Sequence, residues 1–271
     1  MSDHPIVVTG AASGIGAALA TLLRRRGVQV IGLDRTATDD TIPCDLSDPH
    51  SIQAAIDNLP AQLGGLANVA GLPGTASPEA VLRVNVLGPK LMAEGLLPRL
   101  TASSAVVNVA SVAAHRNTQP PESVEQLISA TTPEDIRAWL GDHPVDGPAA
   151  YDTSKRVLVD WTTRLAARLI GTDRRAISVS PGPVETPILG DFATSMGQES
   201  MERSVATVGR HGRPDEVAAV IGFALSPEAS WLNGIDLLVE GGLMAARAAA
   251  RATTLNPSTG PEPGPHEGIP S

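Results

Sequence analysis

Residues 9–16 of the chain read Thr-Gly-Ala-Ala-Ser-Gly-Ile-Gly, between the apolar run Ile6-Val7-Val8 and a segment, Ala17 to Arg25, of helical composition. Glycines at a strand-to-helix turn let the backbone approach an anion and let strand and helix pack closely. The helix N-terminus then offers unpaired N–H groups to a phosphate. Gly10, Gly14 and Gly16 give the spacing Gly-x3-Gly-x-Gly, with Ser13 and Ile15 completing the turn. Alone, the glycines also suit a purely structural turn. A second apolar run, Val28 to Leu33, ends at Asp34, 24 residues beyond Gly10 (34 − 10). A ribose-binding carboxylate of a βαβ unit belongs there. Asp34 can accept hydrogen bonds from both adenosine ribose hydroxyls and repels a 2′-phosphate. Arg35 could pair with such a phosphate, but no basic residue lies inside 9–16, so the cofactor expected is NAD(H).

Far downstream, Tyr151-Asp152-Thr153-Ser154-Lys155 puts a phenol and an ammonium one helical turn apart. A free tyrosine has a pKa near ~10 and is a poor base at neutral pH. Lys155 at i+4 shares a helix face with Tyr151, and its charge favours the phenolate. Making the phenol a useful base near neutral pH needs about 4 kcal/mol, from Lys155, a positively charged nicotinamide ring and hydrogen bonds. Ser111, just past the strand-like run Ala105 to Val109, would hold the substrate oxygen and steady a developing alkoxide. Tyr151 then takes a hydroxyl proton as a hydride leaves, or returns one to a carbonyl.

Apolar runs alternate with helical stretches along the chain. Strands are expected near 5–9, 28–34, 41–44, 65–69, 105–110, 175–180 and 235–239. Helices are expected near 14–26, 48–59, 78–100, 151–170 and 214–225. This pattern predicts an α/β fold, a single-domain Rossmann-type doubly wound parallel sheet of about seven strands with helices on both faces. Aromatic residues are only 2% of the chain, so Ala, Val, Leu and Ile must fill the core, as in a sheet buried on both sides. The net charge of −9 argues against nucleic acid or an anionic membrane surface as partner. No apolar run is long enough to span a bilayer, and the first strand begins too early for a signal peptide. A cytoplasmic location is therefore expected. Cys44 is the only cysteine and the histidines lack ligand spacing, so no metal site is expected.

These motifs together resemble the short-chain dehydrogenase/reductase family over roughly residues 5–245. Thr9 to Gly16 matches its TGxxxGxG turn, and Tyr151 with Lys155 its YxxxK pair. The resemblance implies further contacts. Asp45 and Leu46 would meet the adenine ring. Asn68-Val69-Ala70-Gly71 matches the NNAG segment, with Val in place of the second Asn, and would line the cofactor through Asn68, Ala70 and Gly71. Asn85 would hold a water linking Lys155 to solvent. Pro181, Gly182, Val184 and Thr186 match the PGxxxT segment that holds the nicotinamide amide. Family members assemble as dimers or tetramers, so a homo-oligomer is expected.

Two stretches depart from a minimal chain of this kind. Forty residues separate Ser111 from Tyr151 (151 − 111), far more than the family's usual spacing. An insert over 113–149 therefore interrupts the catalytic domain, 1–245, with two capped helices expected at 121–128 and 132–140. In this insert, in Asp34 and in the 181–187 and 209–214 segments the chain is similar to bacterial 3α-hydroxysteroid dehydrogenase/carbonyl reductases. A C-terminal extension, 246–271, starts with helix-forming Ala and Arg, and 256–271 is expected to be disordered. The substrate loop, 186–209, carries Leu189, Phe192, Met196 and Met201, and no Arg or Lys lies between Glu185 and Glu202. The expected activity is interconversion of a secondary alcohol and a ketone, with an apolar alicyclic, terpenoid or steroid-like substrate. The alternatives are a dinucleotide-sensing regulator without turnover and an enzyme that epimerises or dehydrates a nucleotide sugar.

Overall fold

Short aliphatic runs build a parallel sheet, and each longer amphipathic stretch returns the chain across one of its faces. The computed structural model describes residues 3–255. Its first half contains β1 (Ile6–Thr9), α1 (Gly14–Arg25), β2 (Val30–Asp34), β3 (Thr41–Pro43), α2 (Pro49–Asp57), β4 (Leu63–Asn68), α3 (Pro78–Leu82), α4 (Gly88–Leu96) and β5 (Leu100–Val109). Then come α5 (Pro121–Ser129), α6 (Pro133–Asp142), α7 (Gly147–Arg168), β6 (Arg175–Pro181), α8 (Leu189–Met196), α9 (Gln198–Val208), α10 (Pro214–Ala224), β7 (Asp236–Val239) and α11 (Leu243–Leu255).

The seven strands lie in the order β3-β2-β1-β4-β5-β6-β7, and every pairing is parallel. Strand order reverses between β1 and β4, and ligands bind in the crevice beyond the carboxyl ends at such a point. Successive residues serve opposite faces of the sheet. Val7, Leu66 and Val106 pack with α2, α4 and α7 on one side. Val8, Ala67 and Val107 pack with α1 and α10 on the other. This is the doubly wound Rossmann-type fold that the alternation predicts.

The expected helix over 78–100 is divided. A π-helical turn, Arg83–Leu87, separates α3 from α4, and a 3-10 turn, Leu97–Arg99, ends it. π turns of this kind gather at functional sites. Helix α7 begins one turn before Tyr151, because the Asp146 carboxylate accepts the Ala149 N–H at 2.8 Å and Pro148 suits the first turn. The 186–209 loop contains the two helices α8 and α9.

The insert is a packed extension of the core. A 3-10 turn, Val112–Arg116, follows Ser111; α5 then lies against α7, and α6 against α3 and α5. A reciprocal bond pair between Thr132 and Asp135 starts α6. Leu127, Ile136 and Trp139 are buried with Leu158 and Trp161 of α7. Each large apolar side chain so buried contributes on the order of 1.5–3 kcal/mol. The buried ammonium of Lys90 donates to the carbonyls of Leu127, Ile128 and Ala130, tying the end of α5 to α4. Burial pushes the Lys90 pKa down to about 8. The expectation of disorder over 256–271 falls outside the described residues.

Candidate active site

The glycine turn has the backbone that its sequence requires. Gly10 and Gly14 sit at φ +69° and +53°, where a side chain is strained. A Cβ on Gly16 would fall 2.0 Å from the Gly10 carbonyl oxygen, so α1 can meet β1 this closely only through glycine. The first helical bond of the turn runs from Ala17 N–H to the Ser13 carbonyl at 3.1 Å. The N–H groups of residues 14–16 therefore face the cleft without intrahelical acceptors. Ser13 caps α1 without giving the helix its hydroxyl. Thr9 Oγ1 accepts the N–H groups of Val69 and Ala70, at 3.0 and 3.2 Å, and so fixes the gap between β1 and β4.

Asp34 closes the β2 end of this cradle. Its carboxylate accepts the Ala12 N–H at 3.0 Å and the Thr36 N–H at 2.9 Å, so the same group shapes the turn and faces the cleft. Arg35, Asp45 and Leu46 line the wall beside it. Burial raises the Asp45 pKa, but hydrogen bonds from Ser47 and the charges of Arg35 and Arg83 outweigh it and leave the carboxyl below its ordinary value. Cys44 is buried there, and burial, with the nearby Asp45 charge, pushes its thiol up to about 11.

Ser111, Tyr151 and Lys155 meet at the carboxyl end of β5. The Ser111 hydroxyl accepts the Ala113 N–H at 3.1 Å and bonds with the Tyr151 phenol. Lys155 Nζ lies 5.6 Å from the Tyr151 ring centroid and donates to the Val109 carbonyl at 2.9 Å. Burial pushes the phenol up to about 12, against the lowering pull of Ser111 and of the Arg116 charge, while the Asp152 charge adds to the rise. Burial also pushes Lys155 down to about 8. The sequence predicts a phenol lowered by Lys155; here desolvation dominates and the ammonium is turned to Val109.

Pro181, Gly182, Val184 and Thr186 cross above the α1 N-terminus, and Thr186 Cγ2 would lie 3.4 Å from a Cβ on Gly14. Together with Ala70 and Gly71 they complete a single cleft of about 380 Å³, within the range of small-ligand sites.

Two expected site residues stand behind the cleft wall instead of in it. The Asn68 amide donates to the Pro89 carbonyl at 3.2 Å and to Asn108 Oδ1 at 2.9 Å, bridging strands. Asn85 sits in the π turn, and its amide is used on the scaffold. It accepts the Leu72 N–H at 2.8 Å and donates to the Leu72 carbonyl at 3.0 Å and to Ser154 Oγ at 3.2 Å. A Cβ on Gly71 would lie 3.3 Å from Asn85 Oδ1 and 3.5 Å from Lys155 Nζ, so Asn85 braces the Lys155 pocket.

The structure also brings in residues without a sequence signal. Arg116, from the turn after Ser111, and Leu243 and Arg247, from α11, line the cleft. Arg247 makes no ion pair among the described residues; its Nη1 lies 3.9 Å from Met244 Sδ. Met201 lines the cleft as expected, and the side chains of Phe192 and Met196 are outside those described. Among the described residues no His, Cys, Asp or Glu cluster could hold a metal, and no helix is long and apolar enough to cross a membrane.

Residues 4–121 match the family profile "short chain dehydrogenase", and residues 138–244 match the profile "Enoyl-(Acyl carrier protein) reductase". The chain is 40% identical over 248 residues to a coniferyl-alcohol dehydrogenase of Pseudomonas sp. (strain HR199 / DSM 7063), covering 90% of this chain and 97% of that one. It is 31% identical to a 3-alpha-hydroxysteroid dehydrogenase/carbonyl reductase of Comamonas testosteroni, covering 88% and 95%. The crystal structure of the 3-alpha-hydroxysteroid dehydrogenase from Pseudomonas sp. B-0831 complexed with NADH superposes with a TM-score of 0.80 at 36% identity, covering 90% and 98%.

Proposed function

Because the chain belongs to the short-chain dehydrogenase/reductase family, we propose that it interconverts an apolar, ring-bearing alcohol and its carbonyl compound with NAD(H). The observation that carries this is the meeting of Ser111, Tyr151 and Lys155 in the same cleft as the glycine turn. Relatives named for coniferyl alcohol and hydroxysteroids support a ring-bearing substrate. Secondary alcohols and ketones of alicyclic, terpenoid or steroid type are the substrates favoured.

The cradle fits a dinucleotide, since Gly10 and Gly14 hold the positive φ of the turn and a Cβ on Gly10 or Gly16 would strike the Ala70 backbone or the Gly10 carbonyl oxygen and push the turn out of shape. When bound, the nicotinamide accepts or supplies the hydride. Residues 14–16 would meet the pyrophosphate, Asp34 the adenosine ribose, and Pro181 to Thr186 the nicotinamide end. Asp34 also disfavours a 2′-phosphate, which supports NAD(H) over NADP(H).

Ser111 donates its hydroxyl hydrogen to the substrate oxygen and holds it beside the phenol. Tyr151 removes the alcohol proton during oxidation and returns it to the carbonyl oxygen during reduction. Lys155 favours the phenolate once its ammonium serves Tyr151 as well as Val109. The apolar walls exclude water from this transfer.

Homo-oligomer formation belongs to the same proposal. Phe223, Trp231, Ile235 and Leu238 expose large apolar side chains, Trp231 to 98%, which a second copy could cover.

Steady-state NADH absorbance with a panel of cyclic and aryl-substituted alcohols and ketones tests the activity. Sustained turnover with kcat/KM higher for NAD+ than for NADP+ is expected. Absence of turnover across the panel, or preference for NADP+, contradicts the proposal.

A further inference from the structure

The 3-10 turn after Ser111 is joined to α7 by two successive side-chain pairs. Arg116 Nε and Nη2 donate to the two carboxylate oxygens of Asp152, at 3.0 and 2.6 Å. Thr153 Oγ1 donates to Asn117 Oδ1 at 2.9 Å. The partners on α7 are the residues immediately after Tyr151, and those on the turn closely follow Ser111. The Arg116–Asp152 pair is only partly exposed, with side-chain exposures of 31% and 17%. Two-pronged bonds of this type fix direction as well as distance.

We propose that Arg116 and Asp152 are positioning residues for the reactive phenol, holding Tyr151 against Ser111 and setting by their opposed charges how readily it ionises. This rests on the acid/base role of Tyr151 proposed above. Arg116 favours the phenolate and Asp152 opposes it. Lys155 is the further charge on the Tyr151 face of α7. Of the titratable groups on the other elements packed against α7, His115 of the 3-10 turn and Asp191 of α8 are solvent-exposed, and the following are bonded to partners of their own. Glu125 of α5 pairs with Arg164, Glu79 of α3 with Arg83 and Arg137, and Arg175 of β6 with the carbonyls of Ala224, Ser226 and Ala229. An ordinary structural ion pair would act on stability alone. A pair set between a base and its hydrogen-bond partner acts on the base, and its two members act in opposite directions.

Tyr151 is the only tyrosine of the chain, so tyrosinate absorbance reports this one phenol. The titration can be read in pH jumps fast enough to precede alkaline unfolding, beside the pH profile of kcat/KM for alcohol oxidation. Arg116→Met is expected to move both midpoints up, by about one pH unit, and to lower kcat at neutral pH by about tenfold. Asp152→Asn is expected to move both midpoints down. The double variant should return towards the parent. Shifts of the two single variants in the same direction, or a KM change for Arg116→Met with its titration unmoved, overturn the proposal. If Arg116→Met does not fold, Asp152→Asn decides alone: a lowered midpoint supports the pair, and an unchanged or raised one overturns it. Tyr151→Phe separates the two levels. Retained turnover overturns the functional proposal beneath, whereas lost turnover beside unmoved titrations overturns the pair only.

Discussion

In the glycine turn, a side chain on Gly16 would strike the Gly10 carbonyl oxygen at 2.0 Å; in α8, within the proposed substrate loop, a side chain on Gly190 would meet nothing within 4 Å. The contrast extends to the surroundings. The cradle is one continuous strand, turn and helix, joined by Thr9 and Asp34 to β4 and to its own backbone. The substrate side is gathered from the turn after β5, from α9 and from α11, which are far apart in the chain and meet through side chains. A dinucleotide demands the same backbone of any chain that binds it, whereas a substrate wall needs only a shape and a polarity. The first is therefore written locally, and the second is written in packing.

That contrast can be broken by substitution. Gly16→Ala is expected to have the larger effect, raising the KM for NAD+ at least about tenfold and destabilising the fold by roughly 1–3 kcal/mol, because α1 must move off β1. Gly190→Ala is expected to leave both within error or to stabilise slightly, since it fills open space in a helix. Steady-state kinetics and thermal melting of the two variants decide this. Equal effects would remove the distinction between a fixed cradle and a permissive wall.

A smaller effect sharpens the boundary between the two sides. Arg247→Met should change the KM of the alcohol by about two- to tenfold, at most about 1.4 kcal/mol, without changing the melting temperature or the KM for NAD+. If the NAD+ KM changes instead, α11 belongs to the cofactor side and the division drawn here is misplaced.

The same difference explains what could be read from the amino-acid sequence. The glycine turn, Asp34, Ser111, Tyr151 and Lys155 were legible because spacing and local backbone demand fix them, and all line the cleft. Asn68 and Asn85 carry motif identity but not position. Their amides turn to Pro89, Asn108, Leu72 and Ser154, a choice made by tertiary hydrogen bonding that no spacing reveals. The helix over 78–100 was legible as helix, but not its π turn, which coincides with the Asn85–Leu72 bonds. Arg247 gave no signal, because an Ala-rich helix with occasional Arg looks the same whether it returns to the cleft or not. The insert was legible as two helices, the second from Thr132, Pro133 and the acidic first turn, whereas α5 starts without the expected side-chain cap; the packing of α5 on α7 and of α6 on α3 came from partners distant in sequence.

The most direct test of the whole account is Tyr151→Phe, with turnover and NADH binding measured on the same preparation. Phenylalanine keeps the buried ring and removes the proton. The mechanism predicts that turnover falls at least about 10²-fold, while the dissociation constant for NADH, read by fluorescence, stays within about twofold because the cradle is built without the phenol. A variant that binds NADH and retains near-full turnover would contradict the central claim that Tyr151 carries the proton.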